Sequence, residues 1–216
     1  MSKAIKPAKA NPVANNFELR PDLNQISHWI ARGSRVLDLG CGDGALLSWL
    51  ADNKDVRGYG VEIDVDGVVA CISRGVNVIQ SNLEVGLAQF EDDSFDYVVL
   101  SLTIQAMHNI EGILREMARV GRTGIVTFPN FGYWENRWQI LKGRMPVSET
   151  IPYDWYNTPN IHFCTVNDFD QLLVKIGMKN TGRVVLANGK RVEFMPNLFG
   201  NLALVRFEQQ RDALKD

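Results

Sequence analysis

Hydrophobic residues along this chain fall into two alternating registers. Short apolar runs at Arg35–Leu39, Arg57–Val61, Val76–Gln80, Phe95–Ser101 and Thr123–Phe128 have the length and side-chain character of buried strands. Between them the spacing changes to that of helices. Pro21 suits a first helical turn, and Leu23, Ile26 and Ile30 give the segment behind it one apolar face. Ala45–Ala51 and Asp66–Arg74 each follow a strand, the second stopped by Gly75. Ile110, Ile113, Leu114, Met117 and Val120 share one face of a helix that ends at Gly121. This alternation predicts an α/β fold with a mostly parallel sheet and helices on both faces.

The rhythm breaks after Pro129. Tyr133–Lys142 reads as helical, and the rest, to Cys164, as a loop dense in Pro and aromatics. An insertion of that length in a compact domain argues for a function. Thr165-Val166-Asn167-Asp168 resembles a capping box with Asp in place of Glu. It opens a helix buried through Phe169, Leu172, Leu173 and Ile176 and closed by Gly177. Lys179–Ala187 and Asn201–Phe207 predict two last strands joined by a polar Gly/Pro loop. Met1–Asn16, rich in Ala, Lys, Pro and Asn, reads as a disordered tail. Residues 17–210 then form one domain, with its insertion at about 130–164.

The densest chemistry lies in Val36-Leu37-Asp38-Leu39-Gly40-Cys41-Gly42-Asp43-Gly44, a strand running through a glycine loop into a helix. Such loops let backbone N–H groups approach a ligand. The dinucleotide pattern G-x-G-x-x-G is not met: the third glycine comes early, and Ala45 takes its slot. Asp38, at the strand end, would repel a pyrophosphate and suits a cationic head such as the amino group of S-adenosylmethionine (SAM). The alternative is that it only ties down the loop. Glu62 closes the next strand, near the place where Rossmann-like sites carry an acid for the ribose hydroxyls, about 20 residues past the loop. Ser81-Asn82-Leu83 and Ser101-Leu102-Thr103 end the third and fourth strands, on the same edge of the sheet.

Composition narrows the partners. A net charge of −2 over 216 residues, without a basic-aromatic stripe, argues against nucleic acid. The three cysteines, Cys41, Cys71 and Cys164, lack C-x-x-C spacing, and the three histidines lack H-E-x-x-H. These patterns point to a reducing, cytoplasmic setting and to no metal site. No apolar run is long enough for a membrane span, and no signal region is expected.

The loop, Glu62 and the strand ends resemble the class I SAM-dependent methyltransferase fold over Arg35 to about Phe128. That resemblance implies a Rossmann-like sheet of seven strands in the order 3-2-1-4-5-7-6, the last antiparallel. It implies SAM or S-adenosylhomocysteine (SAH) held by Asp38, Gly40, Cys41, Gly42, Glu62, Ile63, Asn82, Leu83 and Ser101, with Glu62 on the ribose and Ile63 on adenine. The family's usual Asp after the third strand is here Asn82, an uncharged acceptor. The chain also resembles MetW-type methionine-biosynthesis proteins. The segments that carry this are Leu19-Arg20-Pro21-Asp22-Leu23, Arg57-Gly-Tyr-Gly-Val-Glu-Ile-Asp64, Arg74-Gly-Val-Asn-Val-Ile-Gln80 and, most specifically, Phe128-Pro-Asn-Phe-Gly132, Gly143-Arg-Met-Pro146 and Thr158-Pro-Asn-Ile-His162. This resemblance implies work beside a homoserine O-acyltransferase in methionine synthesis. One departure is Leu102, where the family pattern has Gln; it removes a polar contact at the methionine end.

Catalysis is harder to place than binding. Methyl transfer needs an acceptor held in line and often a base. The candidates are His108, His162, Tyr153 and Tyr156, each also readable as a surface or lid residue. Two functions therefore stand: a SAM-binding accessory protein of homoserine acylation, and an autonomous small-molecule methyltransferase. A third is a scaffold that binds no cofactor.

Overall fold

A left-handed Gly44 and a left-handed Asp55 bracket the helix that follows the glycine loop, and this is typical of how the chain turns between layers. The computed structural model describes residues 20–210; the tail expected over Met1–Asn16 and the domain's first residues, 17–19, lie outside them. The helices are α1 (Pro21–Trp29), α2 (Ala45–Lys54), α3 (Val65–Ser73), α4 (Ile110–Val120), α5 (Trp134–Leu141), α6 (Val166–Lys175) and α7 (Pro196–Phe199). The strands are β1 (Arg35–Leu39), β2 (Arg57–Glu62), β3 (Asn77–Gln80), β4 (Phe95–Ser101), β5 (Gly121–Pro129), β6 (Met178–Ala187), β7 (Lys190–Arg191) and β8 (Leu202–Gln209).

One sheet runs β3-β2-β1-β4-β5-β8-β6-β7. The first five strands pair in parallel, and β8 lies antiparallel to both β5 and β6. With β8 as the seventh long strand, this is the implied order. A two-residue strand, β7, extends the seven at the edge beyond β6. Lys190 and Arg191 turn back on Ala187 and Leu186 across Asn188-Gly189, both at positive φ (50° and 73°). Asn-Gly is the dipeptide that such a tight hairpin favours. The polar Gly/Pro loop expected here thus holds a short hairpin and the short helix α7.

Period two sorts the strands' side chains into two apolar layers. Leu37, Leu39, Val98, Leu100, Val126 and Phe128 pack with α4 and α6. Val36, Val99, Ile125 and Leu204 pack with α1 and α2 through Ile26, Leu47 and Leu50. Local signals fix the helix ends. Lys54 Nζ donates to Ser27 O (2.6 Å) and Ile30 O (2.7 Å), binding the end of α2 to the end of α1. The capping box forms: Thr165 Oγ1 accepts from Asp168 N and Asp168 Oδ2 accepts from Thr165 N.

The insertion is anchored at its base by a buried amide. Asn130 Nδ2 donates to Asn197 O (3.0 Å) and Gly200 O (2.7 Å), while its Oδ1 accepts from Gly132 N and Val166 N. It thereby joins the end of β5, the start of α6 and the α7 turn. Further out, Gln105 O accepts from Ile161 N (2.8 Å) and His162 N (3.0 Å), laying the insertion against the end of β4.

Candidate functional site

The glycine loop leaves β1 and is hung from β2. Val61 O accepts from Gly40 N (2.8 Å) and Cys41 N (3.2 Å). Gly40 has φ 68°, and a β carbon there would sit 2.8 Å from Thr103 Oγ1, so the loop packs against the end of β4 only as glycine. Gly42, at φ 56°, would meet nothing within 4 Å; its backbone faces open space that a ligand can enter.

Glu62 closes this loop from the far side. Its Oε2 accepts from Gly42 N (2.8 Å), and its Oε1 from Ile63 N (2.8 Å) and Asp64 N (3.0 Å). A carboxylate offers about four lone-pair sites, so three are already used. Glu62 is therefore a brace for the loop, and bonding to two hydroxyls requires sharing lone pairs with these N–H groups.

Asp38 differs. It is 4 % exposed, and no described residue donates a hydrogen bond to its carboxylate. Burial pushes its carboxyl up to about 7; Arg20 opposes this, while Glu62 and Asp22 add to it. A buried carboxylate without a donor is costly unless something pairs with it.

The cation beside it comes from the start of α1. Pro21 occupies the first helical turn and leaves Arg20 extended (φ −116°, ψ 99°). Arg20 then folds onto the buried Asp22, Nε to Oδ1 at 3.3 Å and Nη2 to Oδ2 at 2.7 Å. Arg20 Nη2 also donates to Ser101 Oγ (3.1 Å), and Ser101 Oγ in turn meets Asp22 Oδ2 and Thr127 Oγ1, each at 3.1 Å. Ser101 is thus committed to a network joining α1, β4 and β5. Leu102, next in the chain, holds φ 52°, a strained backbone for a branched residue, at the same strand end.

The remaining expected contacts lie around the ends of β2 and β3. Ile63 is 59 % exposed, and Leu83 is half-buried against the core. Asn82 Oδ1 accepts from Glu84 N (2.9 Å), capping the turn Leu83–Val85. Cys41 lies beneath the loop, its Sγ 3.6 Å from Cys71 Sγ, and Cys71 donates to Gly42 O (3.2 Å). Burial raises both thiols, so they pack as neutral groups rather than as thiolates.

Two cavities open beyond the strand ends. The larger, about 460 Å³, is lined by Arg20, Leu102, Gln105, Thr150, Tyr153 and Asn160 among others. Gln105 Oε1 and Thr150 Oγ1 are buried there without a partner among the described residues. The smaller, about 160 Å³, is mostly apolar and holds His162 beside Phe163 and Phe169. His108 lines neither; its backbone N–H binds Glu84 Oε1 (2.7 Å) on the Asn82 side. The candidate acid–base residues are therefore dispersed. Tyr153, His162 and His108 sit in three places. Asp38, Gly40, Cys41, Gly42 and Glu62 come together, with Ser101 behind them. In the sequence Arg20 stands out only within a family motif; Arg-Pro-Asp, a cation and an acid flanking a helix-starting proline, is the signal of its fixed position.

Residues 20–207 match the family of the methionine biosynthesis protein MetW. The chain is 37% identical over 212 residues to the bifunctional methionine biosynthesis protein MetXA/MetW of Rhodopirellula baltica, covering 92% of this chain and 34% of that protein. A ubiquinone/menaquinone biosynthesis C-methyltransferase, UbiE, of Stenotrophomonas maltophilia is 28% identical over 134 residues, 52% of each. The chain spans about a third of the length of the first of these curated relatives and about half of the second. A solved SAM-dependent methyltransferase of Mesorhizobium loti superposes with TM-score 0.66 at 15% identity, covering 89% of this chain and 100% of that one. A SAM-dependent methyltransferase of Thermotoga maritima, possibly a histamine N-methyltransferase, gives TM-score 0.64 at 19% identity over 91% of each. Together with the sheet order, these likenesses show the class I SAM-dependent methyltransferase fold, and the family match shows more: this chain belongs to the MetW family of methionine biosynthesis proteins.

Proposed function

We propose that this chain binds SAM or SAH and acts as an accessory protein of methionine synthesis, supporting or tuning a homoserine O-acyltransferase. The observation that carries the ligand half is the Asp38 carboxylate, buried without a donor near the end of β1, the strand that leads into the Gly40–Gly42 loop. A ligand ammonium satisfies that carboxylate, whereas a nucleotide phosphate would meet both Asp38 and Glu62. On this reading Asp38 takes the amino group, Gly40–Gly42 line the ligand, Glu62 takes ribose, and Ile63, Asn82 and Leu83 border adenine. When bound, SAM brings an activated methyl group; the residues described above bind and orient it.

The partner half rests on different support. The relative from Rhodopirellula baltica is named for a MetXA and a MetW function in one bifunctional protein. Tethering raises the effective concentration of two parts that work together. The insertion also leaves Trp155 (72 %) and Tyr156 (70 %) exposed, their rings edge to face at 5.8 Å. Large aromatics of this kind are the residues that dominate protein interfaces. Co-expression and pull-down with a homoserine O-acyltransferase, followed by acylation assays with and without this chain and SAM, test the proposal. A specific complex with altered acylation supports it. No complex and unchanged acylation would remove it.

One observation favours the second reading, an autonomous methyltransferase: the cavity of about 460 Å³ at the strand ends, with Tyr153 on its wall. Methyl transfer from labelled SAM to a metabolite in cell extract, without the partner, would establish that reading instead.

A further inference from the structure

Cys41 and Cys71 come from separate elements, the glycine loop after β1 and the helix α3, yet their sulfurs lie 3.6 Å apart. We propose that the two thiols are a redox modification site: a hydroperoxide converts them to an intramolecular disulfide that unseats the glycine loop. The effect on ligand binding rests on the SAM reading above; the cross-link itself does not.

Two glycines leave room for the pair. A β carbon on Gly60 would overlap Cys41 Sγ, and one on Gly44 would lie 2.9 Å from Cys71 Sγ. Cys164 stands elsewhere, on the wall of the smaller cavity. Access is one-sided, because Cys41 is partly exposed and Cys71 is buried. The oxidant therefore meets Cys41 first. Cys41 Sγ, as thiolate, attacks the O–O bond; a sulfenic acid forms, and the leaving oxygen departs as alcohol or water with the thiol proton. Cys71 Sγ then attacks Cys41 Sγ. The S–O bond breaks, and its oxygen leaves as water with the Cys71 proton. The thiols give up two electrons and two protons, and the peroxide bond takes them up. Burial keeps both thiols protonated at rest, so the reaction is slow at neutral pH and quickens as the thiolate fraction grows.

Gly42 is held from both sides in the reduced chain. Its N–H donates to Glu62 (2.8 Å), and its carbonyl accepts from Cys71 Sγ (3.2 Å). Oxidation consumes the Cys71 S–H and so removes the second hold. It also draws the sulfurs in to about 2.0 Å, pulling the loop toward α3.

Peptide mapping by mass spectrometry after hydrogen peroxide treatment of the folded chain tests this, with calorimetry on the same samples. The expected product is a Cys41–Cys71 linked peptide, formed faster at pH 9 than at pH 7 and reopened by dithiothreitol. Cys164→Ala should give the same link. Cys71→Ala should give none, and its SAH affinity should not respond to dithiothreitol after peroxide; Cys71→Ser takes its place if the alanine variant does not fold. The oxidised wild type is expected to bind SAH about tenfold more weakly or worse, the loss of a hydrogen bond's worth of contact, with recovery in dithiothreitol. No Cys41–Cys71 link in folded wild type, or a link to Cys164 instead, overturns the proposal and leaves the cofactor reading intact. A link that leaves SAH affinity unchanged overturns the unseating of the loop. SAH binding by neither the reduced nor the oxidised chain overturns the cofactor reading and the redox control of it together.

Discussion

The Glu62 carboxylate accepts a 2.8 Å hydrogen bond from the backbone of Gly42, a residue 20 positions earlier in the chain. The end of β2 thereby sets the shape of the loop that leaves β1. One side chain braces the loop and, on the function proposed above, also takes the ribose.

Glu62→Ala should therefore register in two measurements. Losing three acceptor contacts to partly buried N–H groups is expected to destabilise the fold by about 2 kcal/mol. Loss of the ribose contacts should weaken SAH about 30- to 1000-fold. Thermal unfolding and calorimetry on the same samples separate the two. Unchanged affinity in a folded variant would place the ribose elsewhere.

Asp38 makes binding depend on pH. Its carboxyl is pushed up to about 7 by burial, and a ligand ammonium requires it ionised. Affinity for SAH should rise about tenfold from pH 6 to pH 8, one proton being released on binding. Folding stability runs the other way. A raised carboxyl pKa stabilises the fold fully below the ordinary aspartate value, and this contribution is lost as pH rises through about 7. Asp38→Asn should flatten both profiles. Identical slopes in wild type and variant, by calorimetry and urea denaturation, would show that another group titrates.

Asn130 holds the base of the insertion through bonds to residues 67 and 70 positions away. Asn130→Ala strands those carbonyls and the Gly132 N–H in the interior, while Val166 N keeps Asn197 Oδ1 (3.1 Å). The expected cost is about 2–4 kcal/mol in urea denaturation. A cost under about 0.5 kcal/mol, the level of ordinary surface changes, would contradict the anchoring role.

These examples mark what a sequence exposes. The β1 loop and α2 are legible because strand, glycines and helix are contiguous. The capping box is legible because Thr165 and Asp168 are three apart and both bonds are local. The Asn188-Gly189 hairpin carried a local signal, but its strands are too short to show a period. Asn130 and Arg20 were hidden for another reason. Their roles depend on partners brought in by tertiary folding, as when Ser101 reaches Arg20 across 81 positions. The dispersal of Tyr153, His162 and His108 is likewise a property of the tertiary fold, which no spacing of those residues encodes.

Trp155→Ala and Tyr156→Ala should weaken the complex with homoserine O-acyltransferase about thirtyfold or more, as loss of a buried aromatic anchor does. SAH affinity should stay near wild type, because neither residue borders the glycine loop. A complex untouched by both substitutions would move the interface off the insertion.

A buried, donorless Asp38 and a loop braced by Glu62 are proposed to form a SAM-type cofactor site. Calorimetric titration of the intact chain with SAH at neutral pH tests it most directly. One SAH per chain should bind saturably, and Asp38→Asn should abolish or strongly weaken that binding. Absence of any heat of binding up to millimolar SAH, in a chain shown to be folded by its thermal transition, would contradict it.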